Sequence, residues 1–156
     1  MHPSLLVLDI DGVLNTPSSQ SAGGMTNFSA SAVSAMHQLL EEVDFDVLLC
    51  SSWRVDQNKL LAQVLEKHGL GEITRRLKDG TPVFDAVDRV SRGQEIDAWL
   101  YNSGYCGRLA ILDDEDPLPE LRDWWLPVDQ EQGLTMELAS AAAQLLSAGP
   151  VYTAVN

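Results

Sequence analysis

LLVLDIDGVLN, Leu5 to Asn15, is the stretch on which the reading of this chain turns: an apolar run that ends abruptly in two aspartates separated by one residue. Alternate residues of a strand point to opposite faces, but at a strand's end the chain can curl so that Asp9 and Asp11 flank one point. Two carboxylates converging at the carboxyl edge of a buried strand are costly unless a cation holds them. Gly12, directly afterwards, lets the backbone turn sharply and approach a ligand closely. Magnesium with a phosphate is the natural occupant, one carboxylate serving as nucleophile and the other shuttling protons. A strand end followed by an Asp-Gly turn is the plainer reading of the same residues.

Outward from this stretch, short β-like runs alternate with amphipathic segments, the pattern of an α/β fold with a mostly parallel sheet and helices on both faces. Strands are expected at Leu5 to Leu8, Phe45 to Cys50, Leu109 to Leu112, and more weakly at Ile73 to Leu77 and Trp125 to Val128. Helical spacing links Val33, Met36 and Leu40; Leu60, Leu61, Val64 and Leu65; and Ile96, Trp99 and Leu100. An Ala- and Leu-rich helix from Thr135 to Ser147 is stopped by Gly149 and Pro150. Residues 16 to 28 read as a polar, Gly-containing loop. The Met and Trp positions in the helical stripes are expected in the core; Trp124 and Trp125 are expected beneath the last helix, with an exposed docking surface as the other reading.

A length of 156 residues with 45% hydrophobic content suits a single domain over residues 1–156. The chain has no apolar run of the roughly 20 residues needed to cross a bilayer, and its start carries no basic n-region, so a cytoplasmic location without membrane contact is expected. Cys50 and Cys106 lack CxxC spacing and read as reduced core thiols rather than a disulfide framework or a zinc site. The net charge of -13 argues against tight nonspecific binding to nucleic acid, which depends on neutralising phosphates. Lys67, Arg75, Arg76, Lys78, Arg89 and Arg92 are concentrated in one region but interspersed with acids, as on an ordinary solvated surface.

Three further segments carry chemistry. SSWR, Ser51 to Arg54, follows the second apolar run; its hydroxyls and the N–H groups of the following turn can bind phosphoryl oxygens, or Ser51 and Ser52 can simply cap the next helix. Arg54 can grip a phosphate bidentately or pair with Asp56. SRGQEIDAWL sets Arg92 at the start of a helix, and LAILDDEDP ends an apolar strand in the acids Asp113 to Asp116, which repel one another without a cation nearby. With Asp9 and Asp11 these acids make an oxygen-rich pocket suited to a hard ion rather than to zinc.

Taken in order, these four signals resemble the motifs of the haloacid dehalogenase (HAD) superfamily of aspartate-nucleophile phosphatases. The resemblance implies a Rossmannoid three-layer fold with a minimal cap or none. It also implies a magnesium-dependent phosphomonoesterase in which Asp9 is phosphorylated while Asp11 protonates the leaving group and then activates water. Ser51, with Ser52 as fallback, would bind the phosphoryl group, as would Arg54. Arg92 would replace the usual third-motif lysine, with Arg89 and Lys78 as rivals. Asp113 and Asp114 would hold magnesium with Asp9 and Asp11, and Asp116 would stand outside them. More narrowly, DIDGVLN, SSWR, EIDAWL, LDD and a late GLT resemble the small HAD domains of RNA repair proteins, related to the phosphatase half of polynucleotide kinase-phosphatases. Substrates implied are phosphorylated nucleic acid ends, with small phosphomonoesters or a noncatalytic regulatory role as alternatives, and with any partner protein or oligomer left open.

Overall fold

The computed structural model describes residues 2–50, 59–80 and 91–154. Strand β1 (Ser4–Leu8) is apolar on both faces because both are covered: Leu5 and Val7 enter one hydrophobic cluster, Leu6 and Leu8 the other. β1 lies in the middle of the sheet. On one side it pairs in parallel with β2 (Asp46–Leu49), Leu8 opposite Leu49, and on the other with β4 (Cys106–Asp113), Leu8 opposite Leu112. β3 (Leu77–Gly80) lies beyond β2, and β5 (Trp125–Pro127) beyond β4, giving the order β3-β2-β1-β4-β5 with every pair parallel. The outer edge of β4 is divided: β5 takes its end, Ile111 to Asp113, while β6 (Val151–Thr153) runs antiparallel along its beginning, Cys106 to Arg108.

Two helical layers close over this sheet. Helix α2 (Ala30–Glu42) sends Ala32, Ala35, Met36 and Leu39 against Leu6, Leu8 and Leu112, and α6 (Met136–Ala148) adds Ala139, Ala142 and Leu146 to the same face. α3 (Lys59–Lys67) and α4 (Gly71–Arg76) extend that layer with Leu61, Val64, Leu65 and Ile73. On the opposite face α5 (Arg92–Ser103) buries Ile96 and Leu100 against Leu5, Val7, Leu109 and Ile111. Each fully buried Leu or Ile contributes roughly 2 kcal/mol of transfer free energy, so both faces of the central strands stabilise one register. After β3 the chain returns across the sheet to place β4 beside β1. This reversal of strand order is a topological switch point, and α/β sheets place their ligand crevice at the carboxyl ends of the strands that flank it.

The structure departs from the sequence reading in several places. Residues 73–76 are helical and the strand begins at Leu77; Glu72 pairs with Arg75 and Arg76 across one helical turn, which an extended chain would not allow. Within the expected loop lies α1 (Pro17–Gly23), which buries none of its residues and is started by a reciprocal Thr16–Ser19 capping box. β6 is a strand that the sequence pattern does not announce. Cys106 is exposed rather than core, while Cys50 is buried. Leu60 and Met136, at the starts of α3 and α6, are exposed as well. Trp124 and Trp125 pack with the α5 face rather than beneath α6. Among the described residues, no helix is long and apolar enough to cross a membrane.

Candidate active site

The crevice is built from the two central strands. Asp9 follows β1 with its N–H donating to the Leu112 carbonyl at 3.1 Å, so the ladder continues one residue past the strand and fixes the start of the turn. The residue is 2% exposed, and its Oδ1 accepts from the N–H of Ile10 at 2.9 Å. Asp113 ends β4, fully buried, its carbonyl held by the N–H of Val128 and by Trp125 Nε1, both at 3.1 Å. Its Oδ1 accepts from the Glu115 N–H at 3.1 Å, and Cys50 Sγ donates to Oδ2 at 3.7 Å. Exposed Asp114 completes the set: one carboxylate oxygen from each of Asp9, Asp113 and Asp114 lies within 4.8 Å of the others.

Arg92 comes to these acids from the first turn of α5. Its Nη1 lies 3.1 Å from Asp9 Oδ2 and 3.2 Å from Asp113 Oδ1, tying the ends of β1 and β4 together. An arginine in a helix's first turn is unfavourably placed in the helix dipole, so the two carboxylates must hold it there. Two local features make the reach possible. Ser91 and Gln94 form a capping box that starts the helix at Arg92, whose N–H donates to Glu115. Gly93 lets the helix lie directly on the Pro117–Leu118 backbone, where a Cβ would fall 2.6 Å from the Leu118 nitrogen.

Electrostatics follow from this crowding. Burial, then the charges of Asp113 and Asp114, pushes the Asp9 carboxyl up to about 8 from an ordinary 3.8, against the pull of Arg92. Asp113 is pushed up to about 6 by burial, and Asp114 adds to this; Arg92 and the Glu115 N–H act the other way. Burial of Arg92 works against its charge, but Asp9 and Asp113 outweigh that and raise its pKa. Ionised together, three carboxylates against one guanidinium leave two negative charges, the deficit that a divalent cation neutralises. The three acids converge through oxygen donors, which suits a hard ion such as magnesium.

Asp11 is placed differently. Its Oδ1 accepts from Asn15 Nδ2 at 2.8 Å, and its carboxylate does not join the group formed by Asp9, Asp113 and Asp114. Between Asp9 and Asn15 the chain folds into a tight turn around Gly12, whose φ of 84° is left-handed and whose absent side chain leaves room for Asp114 Oδ2. Asp116 is drawn away by Arg122, 2.9 Å distant, and so takes no part in the cluster. Lys78 lies beside Asp46 at the amino end of β2, the opposite edge of the sheet from Asp9. Ser51, Ser52, Arg54 and Arg89 lie outside the described residues. Asn15 escapes the sequence reading; the available signal is a polar side chain closing a motif otherwise apolar after Gly12.

Paired strand ends carrying aspartates at a topological switch point, with an arginine delivered by the helix that precedes β4, define an α/β domain of the HAD class, whose members are generally phosphatases. Residues 5–139 match the family described as the HAD domain in Swiss Army Knife RNA repair proteins, and the chain belongs to that family. No curated protein and no solved structure matches the chain.

Proposed function

We propose that this domain is a magnesium-dependent phosphomonoesterase that works through an aspartyl-phosphate. The observation that carries this reading is the meeting of Asp9, Asp113 and Asp114 within 4.8 Å, with Arg92 bound to two of them, at the crevice between β1 and β4. Asp9, Asp113 and Asp114 would hold the ion, which when bound supplies positive charge to the carboxylates and to the phosphoryl oxygens. Asp9 attacks phosphorus in line, forming the Asp9–phosphorus bond as the ester oxygen departs. Asp11 gives that oxygen its proton, then takes one from the water that hydrolyses the acyl phosphate and frees Asp9. Arg92 faces the phosphoryl group with its guanidinium while keeping Asp9 aligned. Ser51 and Ser52, after β2, would add hydroxyl and backbone donors.

For substrate, the reading favours a 3′-phosphate at an RNA or DNA end, supported by a family whose description names RNA repair proteins. The net charge of -13 favours a second reading, a small phosphomonoester that needs no long basic track. Phosphate release is the test, measured on 3′-phosphorylated oligonucleotides and on a panel of nucleotides and sugar phosphates, with magnesium and with chelator. Magnesium-dependent release that vanishes in Asp9→Asn supports the mechanism, and the preferred substrate chooses between the two readings. Magnesium binding without release from any ester would leave a regulatory module in its place.

A further inference from the structure

Asn15 is fully buried, and every polar atom of its side chain is used. Oδ1 accepts from the Gly12 N–H at 3.0 Å, while Nδ2 donates to Asp11 Oδ1 at 2.8 Å and to the Met25 carbonyl at 3.2 Å. The orientation of the amide is fixed by its neighbours: rotated by half a turn, it would set its oxygen against a carboxylate and a carbonyl and its NH2 against an N–H. Asn15 therefore closes a ring from Asp11 through Gly12 and back, reinforced by the Asp11–Asn15 bridge of the backbone. The same NH2 ties that ring to the segment after α1. His68 holds that segment too, stacking on Phe28 at 4.6 Å and sitting 3.0 Å from the Thr26 carbonyl.

Such an arrangement exceeds what the turn needs. Gly12 already donates to the Asn15 carbonyl at 3.1 Å, Leu14 to Ile10 at 2.9 Å, and Leu134 to Val13 at 2.7 Å, so the backbone holds the turn by itself. What the Asn15 side chain adds is a buried, oriented donor aimed at one oxygen of Asp11. We infer that Asn15 is a positioning residue for Asp11: it helps set the rotamer from which that carboxylate serves the leaving oxygen, and it links this setting to the 24–28 segment. The inference rests on the phosphatase reading above and deepens it. Asn15 touches no substrate in this role; it acts through Asp11.

Asn15→Asp isolates the donor, because it keeps the oxygen facing Gly12 and replaces the NH2 with an oxygen facing Asp11. Phenyl phosphate needs a proton for its leaving oxygen, whereas 2,4-dinitrophenyl phosphate leaves without one, so the two esters separate Asp11's task from the rest of the site. The expected result is a loss of about 100-fold in kcat/KM on phenyl phosphate, less than about 10-fold on the dinitrophenyl ester, and an unchanged rise in Tm with magnesium. Equal loss on both esters, or no loss on either, overturns the inference. Should Asn15→Asp not fold, Asn15→Ala carries the same expectation. A readout independent of turnover is the side-chain amide pair of Asn15 in NMR spectra of the metal-free protein. It should be protected from exchange and should shift in Asp11→Ala; indifference to that substitution overturns the contact itself. If wild type releases phosphate from neither ester, the phosphatase reading has failed and the inference with it. If wild type is active and Asn15→Asp matches it, the inference alone has failed.

Discussion

Replacing Asp9 with asparagine should stabilise the metal-free protein while abolishing its response to magnesium. The residue is 2% exposed and its carboxyl is pushed up to about 8 from 3.8, chiefly by burial and then by Asp113. A carboxyl whose pKa is raised on folding contributes stability in full below its unfolded value; that contribution is lost as pH rises from about 3.8 toward 8. A rise of that size corresponds to about 6 kcal/mol at the upper limit, taking about 1.4 kcal/mol for each tenfold change in proton affinity. Asparagine carries no such pH-dependent cost, and its Oδ1 can still accept from Ile10, but it gives up the 3.1 Å contact to Arg92. Losing that contact offsets part of the gain and leaves roughly 2–4 kcal/mol, or about 6–12 °C in Tm for a chain of this size. The assay is thermal unfolding of both proteins in chelator at about pH 5 and about pH 7.5, on either side of the middle of that titration range, repeated at the higher pH with magnesium. The gap between them should widen toward the higher pH in chelator, and magnesium should raise the Tm of wild type only. A metal-free Asp9→Asn that melts below wild type at the higher pH, or one that keeps the full magnesium response, would refute the reasoning.

Arg92→Met removes the cation facing Asp9 and Asp113; a loss of about 3 kcal/mol in urea unfolding is expected, together with turnover near background. Gly93→Ala forces α5 off the Pro117–Leu118 backbone, since the added carbon would lie 2.6 Å from a main-chain nitrogen; turnover should fall well before stability does, checked by comparing kcat with Tm. Gly12→Ala meets both a left-handed φ of 84° and a contact of 3.0 Å to Asp114 Oδ2; a cost of roughly 1–3 kcal/mol and weaker magnesium affinity by calorimetry should appear together.

Much of this architecture is legible because its central strands are buried on both faces and so read as unbroken apolar runs: Leu5 to Leu8 and Leu109 to Leu112 leave no competing interpretation. Asp9, Asp113 and Asp114 are legible for the complementary reason, that acids following such runs must lie at one edge of the sheet. Ile73 to Leu77 misleads because its two apolar ends, four residues apart, fit an alternating strand and a helical turn alike; the deciding pairs, Glu72 with Arg75 and Arg76, are helical neighbours. α1 offers no apolar stripe, since it buries nothing, and only Thr16, Pro17 and Ser19 mark its start. β6 owes its existence to the open edge at the beginning of β4, a partner found only once the sheet is assembled. For Asn15 the sequence shows a polar residue, but not that its amide would face Asp11.

Arg92 joins residues that the chain itself keeps far apart: Asp9 directly follows the first strand, while Asp113 ends one laid down after the chain has travelled outward and come back. Neither half of the sequence holds the carboxylate cluster by itself. The pocket comes into being when β4 slots against β1, a long-range pairing of the kind that slows folding. A cation with affinity for these carboxylates then acts only on chains that have completed this step, drawing the equilibrium toward them by mass action. On the reading proposed above, such a site would proofread its own assembly, and two fragments divided between β3 and α5 would bind magnesium only on reuniting.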